Sequence, residues 1–244
     1  MSEPLSYKNA RVQELRRLLA RRSAREAHGA FVVEGAVLIQ EAVAADWTVE
    51  AEFLAPGTEP LSGAPTFELA DGVLERVAST ERPQPNLAVV RMPDRSATLA
   101  DASFVVVADR LNDPGNLGTI LRSSEAAGAD AVVLTAGSVD PYNPKAVRAS
   151  AGALFHVPVV DAGLDAVRGA GFRLVGTSSH LGAPHTSADW SGRVAIVLGS
   201  EAHGLADDTD VDEWVRIEHR GRAESLNVAM AATLLVFEAS RRRG

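Results

Sequence analysis

Along the first thirty residues the large apolar positions recur at mostly three- and four-residue spacing. Val12, Leu15, Leu18, Leu19 and Ala27 share one face, so the period predicts an amphipathic helix over 9–28 that stops at Gly29. Phe31-Val32-Val33 then reads as a short strand, 36–44 as a helix, and 47–54 as a strand running into the turn-rich Ala55-Pro56-Gly57. Segments 66–69, 72–78 and 87–91 continue the alternation, which makes a small α/β unit of about 90 residues. A polar linker, Met92-Pro93-Asp94-Arg95-Ser96, follows.

Beyond the linker the pattern changes. Ser103-Phe104-Val105-Val106-Val107-Ala108 is a continuous apolar run of the kind buried on both faces of a parallel sheet. Similar runs return at 131–134, 172–177, 194–198 and 214–217, separated by helix-like segments, and a long helix over 226–242 closes the chain. The fold class is therefore α/β, with a small first unit over 1–95 and a parallel-sheet unit over 100–244. In such sheets ligands sit beyond the carboxyl ends of the strands, so the loops there are where chemistry is expected.

Composition narrows the function classes. With 46% hydrophobic and 23% charged residues the chain is globular, and with no cysteine it has no disulfide, thiolate nucleophile or zinc ribbon. No apolar run reaches the roughly 18 to 20 residues of a membrane span, and the first fifteen residues lack the apolar core of a secretory signal, so a cytoplasmic protein is expected. The net charge of −8 argues weakly against a nucleic-acid partner. It hides a local reversal: Lys8, Arg11, Arg16, Arg17, Arg21, Arg22 and Arg25 stand against the single acid Glu14 over residues 8–25. Local potential decides where a polyanion docks, so Arg16, Arg17, Arg21 and Arg22 are candidate phosphate contacts, the alternative being a solvated helix face. Arg241, Arg242 and Arg243 lie where cations complement the C-terminal end of a helix dipole.

Three loops carry candidate chemistry. In the loop at 109–122, Asp113-Pro114 has the form of an N-cap with proline at the first helical position. Neither the dinucleotide G-x-G-x-x-G nor the Walker pattern fits its glycines. Asn116 and Arg122 stand six residues apart, about 240° of helical rotation, so they converge only if Asn116 precedes the helix. The loop at 196–205 leaves an apolar strand through Gly199, which permits close backbone approach to a ligand, and contains Glu201, a hydrogen-bond acceptor for one. His203 has no second histidine or cysteine at ligand spacing, so no metal site is expected. At 224–233 Ser225 is placed as the N-cap of the last helix, which leaves Asn227 unexplained in its first turn.

Taken in this order, the loops resemble the three motifs of the SpoU/TrmH family of RNA 2′-O-ribose methyltransferases, within the SPOUT class. The match runs through Asn116, Gly118 and Arg122, then Gly199, Glu201, Gly204 and Leu205, then Ser225, Leu226 and Asn227. The basic first unit, with Phe31-Val32-Val33-Glu34-Gly35 as its clearest match, resembles the ribosomal-protein-like substrate-binding domain often placed ahead of this catalytic domain. The resemblance implies a C-terminal trefoil knot, an exception to ordinary chain topology. It further implies a pocket for S-adenosyl-L-methionine around Gly199, Glu201, Gly204, Ile217 and Leu226, and a homodimer in which both subunits complete the site.

It implies as catalytic residues Arg122, Asn116, Ser225 and Asn227, with RNA as partner and ribosomal RNA favoured over transfer RNA. Arginine, with a reference pKa of about 12.5 to 13.8, is a poor base. The preferred role for Arg122 is a cation that binds phosphate and stabilises the developing alkoxide, with deprotonation by a phosphate neighbour left open. Two departures stand out: Ser200 and Ala202 replace an asparagine and a glycine of the second motif, and Glu218 and His219 follow Ile217 where the family has proline and methionine. The rival readings are a non-catalytic RNA-binding protein on the same fold and a nucleotide-dependent oxidoreductase, the latter disfavoured by the missing fingerprint.

Overall fold

The computed structural model describes residues 3–78, 80–95 and 99–243, and its packing divides the chain into two compact units. Unit 1 comprises residues 1–93 and 142–155; unit 2 comprises 94–141 and 156–244. Of the linker named above, Met92 and Pro93 fall in unit 1 and Asp94 and Arg95 in unit 2, while Ser96 lies outside the described residues.

Unit 1 opens with α1 (Ala10–Ala20) and α2 (Arg22–His28) in place of the single helix expected over 9–28. Arg21 is extended at φ −130° and ψ 123°. No large apolar residue follows Leu19 before Gly29, so nothing holds the second stretch on the same face. The buried Arg25 folds back beneath the break, and its guanidinium donates to the carbonyls of Leu18 at 2.6 Å and Leu19 at 3.4 Å. Those carbonyls would otherwise lack partners at the end of α1. Gly29 stops α2 in the left-handed region, φ 72°, as its position predicts.

There follow β1 (Ala30–Glu34), α3 (Ala36–Ala44), β2 (Val49–Leu54), β3 (Thr66–Glu68), α4 (Val73–Val77) and β4 (Asn86–Arg91). The sheet order is β1-β4-β2-β3, antiparallel except for the last pair. Ala30 and Val32 pack with Val12, Leu15, Leu18 and Leu19 of α1 on one face. On the other, Phe31 meets Tyr142 at 4.7 Å between ring centres and Trp47 at 6.0 Å. Tyr142 belongs to the excursion 142–155, which carries α6 (Pro144–Ala149) and a short 3-10 turn ending at Phe155, whose carbonyl accepts the Trp47 indole N–H at 3.1 Å.

Unit 2 contains β5 (Phe104–Ala108), α5 (Pro114–Ala126), β6 (Ala131–Leu134), β7 (Val159–Asp161), α7 (Leu164–Gly169), β8 (Arg173–Ser178), β9 (Ala183–Pro184), β10 (Val194–Leu198), β11 (Glu213–Arg216) and α8 (Val228–Arg243). All seven strands are parallel, in the order β7-β6-β5-β10-β8-β11-β9. Val105, Val107, Val133, Ala195 and Val197 pack with Val167 of α7 and Phe172 on one face. Strand alternation turns the intervening side chains to the face covered by α5 and α8.

The chain builds the sheet outward from β5 in one direction through β6 and β7, then returns to add β8 and β10 on the other side. The order therefore reverses between β5 and β10, and the loops leaving these two strands are neighbours at the ligand-binding edge. α5 and α8 pack closely across small residues: the Ser123 hydroxyl donates to Thr233 Oγ1 at 2.6 Å, and the Thr233 hydroxyl donates to the carbonyl of Ala229 at 2.8 Å. No helix among the described residues is long and apolar enough to cross a membrane.

Candidate functional site

Beyond β10, Gly199 leads into a tight turn closed by the Gly204 N–H donating to the Ser200 carbonyl at 2.8 Å. A Cβ on Gly199 would meet the Gly204 carbonyl carbon at 2.0 Å and the Leu205 nitrogen at 2.1 Å. The requirement for glycine therefore comes from the chain's own return rather than from a ligand's approach. Ala202 has no positive φ, so alanine fits this turn without backbone strain where the family has glycine.

The turn projects Glu201 across the sheet edge to the loop after β5. Its Oε2 accepts the Asn112 N–H at 3.0 Å, and its Oε1 accepts the Asp113 N–H at 2.8 Å and the Asn116 side-chain Nδ2–H at 3.0 Å. Burial pushes this carboxyl up, but these hydrogen bonds to the ionised form outweigh it and hold the group below the usual carboxylate range. Asp113 caps α5 as expected, accepting the Asn116 N–H at 2.9 Å, with Pro114 at the first helical position.

Asn116 Oδ1 in turn accepts from Asn227 Nδ2 at 3.0 Å. Asn227 Oδ1 accepts the N–H groups of Ala229 at 2.9 Å and Met230 at 3.3 Å. Asn227, and not Ser225, is thus the N-cap of α8, which begins at Val228 rather than 226. A poor helix former next to an apolar run is accounted for by its lying just outside the helix.

These loops and the end of β8 enclose a cavity of about 560 Å³. Gly199, Glu201, Gly204, Ile217, Ser225, Leu226 and Asn227 all line it. So do groups that sequence reasoning passed over: Thr177 and Ser178 at the end of β8, His180 just beyond it, Asp207, and Glu224. The rule placing ligands at the carboxyl ends of parallel strands would have found the first three. Ile217 and Leu226 make no hydrogen bond to other described residues, which leaves backbone donors and acceptors at the cavity wall unused. His180 Nε2 lies 3.3 Å from Asp207 at the rim, and His219 lines the wall where the family motif differs. Among the described residues no cluster of metal-ligating side chains occurs.

Asn116 and Arg122 do not line the cavity. Because Asn116 lies inside α5, Arg122 is turned about 240° from it and the two do not converge within one chain. Arg122 is exposed, and its guanidinium makes no hydrogen bond or ion pair to any described residue. Of the basic cluster, Arg17 and Arg21 are exposed and unpaired among the described residues, Arg22 pairs with Glu26 at 2.7 Å, and Arg16 donates to Gln13 at 2.9 Å while stacking over the Tyr7 ring.

Comparison with known proteins matches residues 103–237 to the SpoU rRNA methylase family and residues 9–88 to an MRM3-like substrate-binding domain. A 23S rRNA (guanosine(2553)-2′-O)-methyltransferase of Bacillus subtilis is 35% identical, covering 97% of this chain and 98% of its own. A 23S rRNA (uridine(2479)-2′-O)-methyltransferase of Streptomyces viridochromogenes is 34% identical over 98% and 92%. Among solved structures, the SpoU methyltransferase AviRb from Streptomyces viridochromogenes in complex with AdoMet superposes with a TM-score of 0.85 at 32% identity, covering 96% of this chain and 98% of that one. An AdoMet-bound rRNA methyltransferase from Sinorhizobium meliloti gives 0.86 at 28%, covering 98% and 97%. With all three motif loops gathered on one edge of the sheet and relatives matched over more than nine-tenths of their length, the chain belongs to the SpoU rRNA methylase family.

Proposed function

We propose that this protein transfers a methyl group from S-adenosyl-L-methionine to a ribose 2′-hydroxyl of RNA, with ribosomal RNA as the substrate class. The observation that carries the reading is the cavity bounded by the second and third motif loops and tied by hydrogen bonds to the first. Its residues fit the cofactor. The volume suits a ligand of this size, and Leu198, Val215, Ile217, Leu226 and Leu235 supply an apolar wall for an adenine. Asp207 and Glu224 line it with no lysine or arginine, a charge balance suited to a sulfonium and an ammonium and unsuited to the phosphates of a nicotinamide dinucleotide.

When bound, the cofactor supplies an activated methyl on sulfur; the protein's part is orientation and control of charge at the hydroxyl. Ser225, at the cavity wall, orients the ribose. Asn116 and Asn227 brace the two loops. Arg122 acts as a fixed cation, binding a substrate phosphate and stabilising the alkoxide as it develops.

Arg122 turns away from Asn116 within its own chain, which favours a site completed by a second copy. Met230, Leu234 and Phe237 form an i, i+4, i+7 stripe on α8 that is 59%, 48% and 47% exposed, the apolar face a homodimer would cover. A C-terminal trefoil knot belongs to the same reading, supported by α8 packing on α5 and against β10 although the chain reaches it from β11, beyond β8. A cytoplasmic location follows from an rRNA substrate. The unpaired cations of unit 1 serve as its RNA contacts.

The test is methyl transfer from labelled cofactor to ribosomal RNA in vitro, with the product mapped by resistance of the modified linkage to alkaline cleavage. One methylated ribose is expected. Heat of binding for NAD but not for S-adenosylmethionine, or label entering transfer RNA alone, overturns the reading.

A further inference from the structure

Resting on that reading, we propose that Glu201 is a positioning residue for the methyl transfer, acting by fixing the polarity of a chain of amides rather than by holding the cofactor. An ionised carboxylate only accepts hydrogen bonds, so every group facing Glu201 must be a donor. Two are backbone N–H groups, of Asn112 and Asp113, which cannot be reversed. The third is a side-chain amide, and it must present Nδ2. That choice turns Asn116 Oδ1 toward Asn227, where an oxygen again only accepts, so Asn227 must present its own Nδ2.

Asn227 Oδ1 is then left facing the N–H groups of Ala229 and Met230, the free donors at the start of α8. Reversing either amide would set N–H against N–H at one end and oxygen against oxygen at the other. Only one orientation satisfies the whole run, and the carboxylate at its head and the N–H groups at its foot demand the same one. One side chain in the loop after β10 is thereby tied to the start of α5, which carries Arg122, and through Asn116 to the start of α8, three residues beyond Ser225. With all three of these donors on its two oxygens, the Glu201 carboxylate is engaged by the protein's own groups although the residue is exposed and borders the cavity.

Three variants test this: E201Q, N116D, and the two combined. In E201Q the new amide nitrogen must face a donor. In N116D two carboxylates face each other. In the double variant the new aspartate accepts both from the new glutamine and from Asn227 and the glutamine oxygen accepts the Asn112 N–H, so the facing carboxylates of N116D are gone and the Asp113 N–H, which shares Oε1 with Asn116 in the wild type, is the one donor left opposite a nitrogen. Each single variant is expected to melt below wild type and to lose about 10²-fold in single-turnover methyl transfer, the scale of a small misplacement of reacting groups. Cofactor affinity measured by calorimetry should stay unchanged in E201Q, and the double variant, relieved of two facing carboxylates, should melt higher and react faster than N116D.

Cofactor affinity falling in step with rate in E201Q would make Glu201 a cofactor-holding residue and overturn the proposal. A double variant no better than N116D would overturn the directed chain. The thermal cycle needs no substrate, so wild-type protein that methylates no ribosomal RNA would instead strike at the underlying reading and, with it, at the positioning role.

Discussion

Arg122 and Arg25 illustrate how differently one residue type is used in this chain. Arg25 is buried and closes the end of α1 through the Leu18 and Leu19 carbonyls, although by sequence it belongs to a run of exposed cations. Arg122 lies beside buried Leu121 and Ser123 yet is itself exposed and without a partner among the described residues. Nothing in the fold of one chain accounts for it. Arg122→Ala is therefore expected to change unfolding free energy by no more than about 0.5 kcal/mol and to leave cofactor affinity intact, while single-turnover methyl transfer collapses. Arg122→Lys should rescue little, because a lysine retains the charge but not the planar fork that can hold phosphate and alkoxide together. Near wild-type turnover in Arg122→Ala would remove the cation from the mechanism. The identity of these side chains was legible in the sequence, but their partners were not. Glu201 reaches Asn112, Asp113 and Asn116 only because two distant strands lie side by side.

At the level of elements, periodicity located most strands and the longer helices, passed over β7, β9, α6 and α7, and failed where a boundary depends on a cap. The start of α8 turns on whether Ser225 or Asn227 supplies the capping oxygen. Both are good N-cap residues, and the choice is made by Asn116, more than a hundred positions away in the chain. The far end of the same helix behaves as its basic residues predict. Arg241 and Arg242 hydrogen-bond to Glu238 and hold its carboxyl down to about 2, and Arg243 donates to the carbonyls of Trp190 and Gly192. Between these pinned ends runs the exposed stripe of Met230, Leu234 and Phe237. Because Leu234 is half exposed, Leu234→Glu should leave the chain folded and separate a dimer by burying charge in its interface. Sedimentation velocity is expected to give a dimer for wild type and a monomer for Leu234→Glu, with methyl transfer lost along with association. A wild-type monomer at micromolar concentration, or a variant that still pairs, would argue that α8 is covered by something else.

At the level of the whole molecule, the alternation of strands and helices announced a parallel sheet but not the order of its strands. Each crossover can add a strand on either side, and only packing decides that β10 inserts beside β5. The excursion 142–155 was equally hidden, because Tyr142 and Phe155 read in sequence as part of the second unit yet pack with Phe31 and Trp47 of the first. Charge follows the same lesson: a net −8 coexists with a basic N-terminal surface, and the structure further divides that surface. Arg22 is matched by Glu26 and Arg16 by Gln13 and Tyr7, whereas Arg17 and Arg21 face solvent unpaired among the described residues. Each arginine that neutralises a phosphate contributes about 0.7 to 0.9 to the dependence of log affinity on log salt. Replacing Arg17 and Arg21 together by alanine should thus flatten the slope for ribosomal RNA by nearly as much as replacing Arg16, Arg17, Arg21 and Arg22 all at once. Cofactor affinity should stay fixed in both variants. Titrations across a range of potassium concentrations decide the matter. A slope that drops much further in the fourfold variant would add Arg16 and Arg22 to the contacts, and an unchanged slope in both would leave the N-terminal helices an ordinary solvated surface.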